Sequence, residues 1–127
     1  MAHRSCLSTV VIDCKTDDLD KATDFWSQAL GAPASKLPEA DDAGYRQLDL
    51  PAQTVNVLVQ QVQHPSRVHI DIESDDIEAE VRRLEALGAR RVQWVRRWWV
   101  MEAPTGQRFC VVRPQREDFE KRAQLWE

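Results

Sequence analysis

Between residues 67 and 73 apolar and polar positions alternate strictly: Val68, Ile70 and Ile72 against Arg67, His69, Asp71 and Glu73. A period of two is that of a β-strand with one apolar and one polar face, so this strand presents His69, Asp71 and Glu73 together. The period then lengthens. Ile77, Val81, Leu84 and Leu87 recur at helical spacing, Asp75 and Glu78 are placed as a capping pair, and Gly88 ends the run. The pattern predicts a strand feeding an amphipathic helix.

The same succession occurs earlier in the chain. Val10, Ile12, Asp13, Asp17 and Asp18 match Val68, Ile70, Asp71, Asp75 and Asp76 at one constant offset, and Ala29-Leu30-Gly31-Ala32 returns as Ala86-Leu87-Gly88-Ala89. Such an internal repeat predicts two copies of one supersecondary unit that need each other to close a core. The copies differ where chemistry is concerned, with Val11 in the place of His69. In the first copy residues 7–14 alternate as a strand, with Val10, Ile12 and Cys14 toward the helix and Thr9, Val11 and Asp13 on the opposite face. Leu19, Ala22, Phe25, Trp26, Ala29 and Leu30 form the apolar stripe of the first helix, and Phe25 and Trp26 are expected in the core.

Residues 1–5 read as a loose end, and residues 32–43, with Pro33 and Pro38, as a loop. Residues 45–50 and 54–62 read as a hairpin turning through Pro51-Ala52-Gln53, and His64-Pro65-Ser66 links the copies. A second hairpin is expected at residues 91–95 and 98–101, with Trp98 and Trp99 on opposite faces, before the turn Ala103-Pro104-Thr105-Gly106 and a last strand at 108–113. In the charged tail, residues 114–127, Phe119, Ala123 and Trp126 fall at helical spacing, and a terminal helix there needs a surface that buries them.

A length of 127 residues with 43% hydrophobic content suits one domain over residues 1–127, built of module 1 at about 6–62 and module 2 at about 67–113. The formal charge is −4 and acids are interspersed among the arginine pairs at 82–83, 90–91 and 96–97, so no nucleic-acid partner is expected. No apolar run approaches the roughly 20 residues that span a bilayer, and the first residues lack the apolar core of a signal peptide. A cytoplasmic protein with no membrane partner is the expectation. Cys6, Cys14 and Cys110 are odd in number and without CxxC spacing, which argues against a disulfide framework and a structural zinc site.

Three motifs in this order carry a resemblance: Asp18-Leu19-Asp20-Lys21-Ala22-Thr23-Asp24-Phe25-Trp26 with Leu30-Gly31, Arg67-Val68-His69-Ile70-Asp71-Ile72, and Ala103-Pro104-Thr105-Gly106-Gln107-Arg108-Phe109-Cys110-Val111-Val112. Together with the repeat they resemble the glyoxalase/bleomycin-resistance/extradiol-dioxygenase superfamily, also called vicinal oxygen chelate, and most nearly its glyoxalase-like subgroup. The resemblance implies an α+β fold of two βαβββ modules, with curved mixed sheets around a cleft and helices outside, and a homodimer. It also implies a divalent-ion position on the first and last strand of each module, which falls here on Val11, Gln60, His69 and Cys110. Valine cannot ligate and glutamine offers a neutral oxygen, so no cofactor is expected; a zinc, nickel, manganese or iron ion, if bound, would rest on His69, Cys110 and Gln60.

The expected ligand-binding cleft is lined by Thr9, Val11, Asp13, Leu58, Gln60, Arg67, His69, Arg108 and Cys110. His69 and Asp71 are the candidate catalytic pair, as acid and base. Each has a plainer reading as well: His69 as a hydrogen-bonded wall residue, Asp13 and Asp71 as ion-pair partners of Arg67 or Lys15, and Cys110 as a small hydrophobe. Two functions stay open. One is a small-molecule-binding protein with a degenerate metal site; the other is a lyase, isomerase or dioxygenase that works through a metal or through His69 and a carboxylate.

Overall fold

The computed structural model describes residues 2–38, 43–51 and 55–127. The chain forms two compact units, residues 9–69 and residues 1–8 with 70–127. Strand β1 (His3–Lys15) contributes its end to the first and its start to the second, and β5 (Arg67–Ser74) its start to the first and its end to the second. No described helix is long and apolar enough to cross a membrane.

In the unit of residues 9–69, β1 is followed by α1 (Leu19–Leu30), β2 (Ala34–Lys36), β3 (Tyr45–Leu48) and β4 (Asn56–Val62). The sheet order is β2-β3-β4-β1, antiparallel except that β4 lies parallel to β1. Helix α1 starts where Asp18 accepts the Lys21 backbone N–H at 3.1 Å, which satisfies one of the orphan donors of the first turn. It stops where Gly31 takes a left-handed φ of 67°. Leu19, Ala32, Leu48 and Val59 form the buried core beneath it, joined by Cys14, Trp26 and Val57.

Two expectations fail here. Phe25 is 62% exposed and Leu30 47%, so only part of the apolar stripe of α1 is buried, and Phe25 rests edge-on against Trp26 at 5.1 Å. The stretch read as a loop contains β2, whose side chains are all exposed; it exists through backbone pairing with β3, which leaves no hydrophobic period. Residues 39–42 of the expected loop and 52–54 of the expected hairpin lie outside the described residues.

The other unit continues β5 with α2 (Ile77–Ala86), β6 (Arg90–Val95), β7 (Trp98–Glu102) and β8 (Arg108–Val112), then α3 (Phe119–Arg122) and β9 (Gln124–Trp126). Its sheet order is β5-β8-β7-β6, with β5 parallel to β8 and the rest antiparallel. Each module therefore runs βαβββ. Asp76 caps α2 by accepting the Ala79 N–H at 3.0 Å, and the helix packs Val81 against Met101, Phe109 and Val111, with Ile72, Ile77, Leu84 and Trp99 around them. Gly88 follows at a φ of 111°, and a Cβ there would meet the Pro104 ring at 3.0 Å.

Here the sequence misleads at both ends. Residues 3–5 are no loose end: they pair antiparallel with β9, so the tail ends in a strand and its helix is only the short α3. Leu87, expected on the buried stripe of α2, is 67% exposed, whereas Glu80 is completely buried. The Glu80 carboxylate accepts hydrogen bonds from His3 Nε2 at 2.8 Å and from Arg83 at 2.8 and 2.9 Å. The Arg83 guanidinium lies 3.8 Å from the Trp126 ring centre, and Trp126 donates its indole N–H to the Ser5 hydroxyl at 2.9 Å. Val68 and Ile70, the outer positions of the apolar face of β5, are 59% and 38% exposed, and only Ile72 joins the core.

Candidate functional site

Strand β1 sets Val11 opposite Leu58 and Asp13 opposite Gln60 in the parallel register with β4. Paired residues of neighbouring strands share a face, so these four of the expected cleft residues come together, with Thr9 behind them. Val11, Thr9 and Asp13 are all buried. Cys14, one position on, packs into the core beneath α1, the side expected for it.

Asp13 organises this face. It is 1% exposed, and its Oδ2 accepts the Nδ1–H of His69 at 2.7 Å and lies 3.5 Å from Arg67 Nε. Among the described residues its buried Oδ1 has no hydrogen-bond partner. A desolvated carboxylate with one unsatisfied oxygen depends on its N–H neighbours, His69 and Arg67, for compensation. The bond to Nδ1 also fixes the tautomer and orientation of the ring: it is Nε2 that can exchange a proton, or ligate a metal, at the other end. The sequence placed His69 and Asp13 on strands of matching register; their direct bond is what the structure adds.

Asp71, the expected partner of His69, lies two residues on along the same face of β5 and is opposite Cys110 on β8. Arg108 donates its Nε–H to Glu102 at 3.2 Å and so is held in an ion pair on β7–β8. For a divalent metal, the donors that β5 and β8 carry are the imidazole of His69, the carboxylate of Asp71 and the thiol of Cys110. The four positions implied by resemblance do not make a ligand set, because Val11 supplies only hydrocarbon and Gln60 a neutral amide beside Asp13. His, carboxylate and thiolate do fit zinc, which takes three protein ligands and an open position when catalytic.

One polar residue of this strand went unassigned in the sequence. Glu73 follows Asp71 on the same face and is 1% exposed. Burial raises its carboxyl above the usual carboxylate range, against the backbone N–H groups of Gln115 and Arg116, the Ser8 hydroxyl and the Arg116 guanidinium, which lower it. The segment after β8 covers it: the Arg116 N–H reaches Glu73 at 3.5 Å, and Arg116 itself is tied to Asp118 at 2.9 Å. Alternation alone places Glu73 on this face, but nothing in the sequence shows that the tail folds over it.

The fold is that of the glyoxalase-like class. Residues 9–112 match the family model of the glyoxalase-like domain, and the chain belongs to that family, within the vicinal oxygen chelate superfamily. No curated protein matches the sequence. Among solved structures, the chain is similar to methylmalonyl-CoA epimerase from Mycobacterium tuberculosis, with 21% identity, a TM-score of 0.60, and coverage of 87% of this chain and 89% of that one. It is similar also to a Streptomyces coelicolor methylmalonyl-CoA epimerase bound to 2-nitronate-propionyl-CoA, at 15% identity, a TM-score of 0.55, and coverage of 84% and 96%. A hypothetical protein from Bacillus halodurans matches at 14% identity with a TM-score of 0.56, covering 89% and 98%. At these identities the likeness is one of fold.

Proposed function

We propose that this protein binds a small carbonyl compound and moves a proton on it, an isomerase or lyase type of reaction with His69 as the base. The observation that carries the reading is the 2.7 Å bond between His69 Nδ1 and the buried Asp13 carboxylate. Asp13 holds the ring in one tautomer and stabilises the imidazolium that forms when Nε2 takes a proton from the carbon next to the carbonyl. The similar structures of methylmalonyl-CoA epimerases support the reading, since a proton leaves and returns to such a carbon in an epimerisation.

The test is deuterium incorporation. Methylmalonyl-CoA and simpler 2-substituted thioesters, incubated with the protein in D2O, are followed by loss of the α-proton signal. His69→Ala should lower the exchange rate by about 100-fold or more, the usual worth of a positioned base, and Asp13→Asn by a smaller factor. A second reading, binding without chemistry, is favoured by Val11, a buried hydrocarbon where the resemblance puts a metal donor. Thioesters that bind, with no deuterium incorporated into any of them, would establish it in place of the first.

A further inference from the structure

Among the described residues, Arg96 is the only one other than glycine with a positive φ, at 49°. It stands first in the two-residue loop between Val95 and Trp98, the pair that closes the β6–β7 hairpin. Such loops favour glycine, asparagine or aspartate at that position, and a long side chain there is strained. Strain kept in a turn points to a task for the side chain. The Arg96 guanidinium lies over the Trp98 ring, 5.9 Å from its centre. Arg83 packs directly on Trp126 at 3.8 Å; Arg96 stands off from its ring. A flat molecule between a guanidinium and an indole needs about 3.5 Å on either side, about 7 Å in all, so a movement of roughly 1 Å by an exposed arginine admits one.

Trp99 and Met101 pack with Val81 beneath α2, so alternation turns Trp98 and Val100 to the opposite face of the sheet. On that face Val100 is opposite Cys110, and Cys110 is opposite Asp71. The hairpin is braced from behind. Trp94 meets Trp99 edge-on at 5.7 Å, and Arg91, 5.0 Å over Trp99, is tied to Glu78 and Glu85 at 2.6 and 3.2 Å. From Val92 to Met101 the chain carries Arg96, Arg97 and no acid, so the turn is positive in a chain of net charge −4. We propose that Trp98 and Arg96 form a stacking clamp for an aromatic carboxylate on the sheet face that carries Cys110 and Asp71. The indole takes one side of the ligand ring, the guanidinium the other, and the positive turn attracts the carboxylate. This assignment goes beyond the proton-transfer reading and does not depend on it, because it concerns the ring that is held and not the carbon that reacts.

Calorimetry on the full chain compares 2-naphthoate with two probes. One, 2-naphthalenemethanol, keeps the ring without the charge; the other, decahydro-2-naphthoate, keeps the charge without the flat ring. 2-Naphthoate should bind about tenfold more tightly than either. Trp98→Leu should lose the margin over the decahydro acid, and Trp98→Phe, with a smaller ring, should keep part of it. Trp94→Leu, altered on the face toward α2, should bind 2-naphthoate as the unaltered protein does. Arg96→Gly should bind 2-naphthoate no better than the alcohol and yet melt higher, by about 3 °C, because glycine relieves the turn. Circular dichroism melts supply these temperatures and show that each variant is folded. Equal binding of the three probes overturns the clamp, and so does 2-naphthoate binding by Trp98→Leu or Arg96→Gly at the strength of the unaltered protein. An equal loss in Trp94→Leu and Trp98→Leu overturns the choice of face. An Arg96→Gly protein that melts lower makes the guanidinium a contact of the fold and overturns the proposal too.

Discussion

Glu80 and Glu73 belong to the same unit and both are almost fully buried, yet their carboxyl groups are pushed in opposite directions. Burial raises both. For Glu80 it is outweighed by the hydrogen bonds of Arg83, His3 and Ser5, and the carboxyl stays below the usual range. For Glu73 the opposing groups are two backbone N–H donors, the Ser8 hydroxyl and an arginine already engaged by Asp118, and burial prevails. The direction in which a buried carboxyl is pushed is therefore decided by who faces it and not by depth: a bidentate guanidinium outweighs burial, and shared or neutral donors do not.

The largest effect should come from emptying the Glu80 site. Glu80→Ala leaves the buried His3 and the part-exposed Arg83 without their carboxylate, and removing one partner of such a group costs up to about 3–5 kcal/mol. Urea unfolding should show that loss, and a change under about 1 kcal/mol would mean that His3 and Arg83 find other partners and that the contrast is one of pKa alone. A smaller loss is expected for Trp126→Ala, about 1–2 kcal/mol, from the Arg83 contact and the hydrogen bond to Ser5. Amide exchange should locate it, with protection falling at residues 3–5 and 124–126 before it falls in β7 and β8.

The pH dependence sharpens the comparison further. Glu80, held low, contributes stability that is present above the ordinary glutamate range and disappears as the pH falls through its folded pKa. Glu73, held high, does the reverse: its contribution is complete below the unfolded pKa and is lost as the pH rises through the folded one. Glu73→Gln should thus change stability below the ordinary glutamate range by less than about 1 kcal/mol and remove the decline that sets in as the pH rises above it. Melting temperatures of the two proteins, measured across that range, should diverge as the pH rises; parallel curves would show that Glu73 does not titrate there.

The repeat was legible because both copies carry the same alternation and the same capping aspartates, Asp18 and Asp76, and these are local signals. Asp13 and His69 were legible as members of one face for the same reason. What the sequence hid depends on distant covering. Glu80 looks like part of a solvated helix face, and it is buried only because His3, Ser5 and Trp126, from opposite ends of the chain, close over it. Leu87 and Phe25 have the right spacing for a core, but no described element covers them enough to bury them. Strand β2 buries no side chain and so has no period to announce it. The Asp13–His69 bond, finally, joins residues far apart in sequence, and no periodicity specifies a hydrogen bond.

The meeting of Gly88 with the Pro104 ring bears on how this chain can be redesigned. Any side chain at 88 would be placed in a backbone conformation that L-residues avoid, and against a ring at 3.0 Å from its first carbon. Removing the proline answers the second objection and not the first. Random libraries will therefore return almost no functional clones altered at 88, whichever residue stands at 104, and recombination with related domains has a usable crossover only where glycine is kept at that junction.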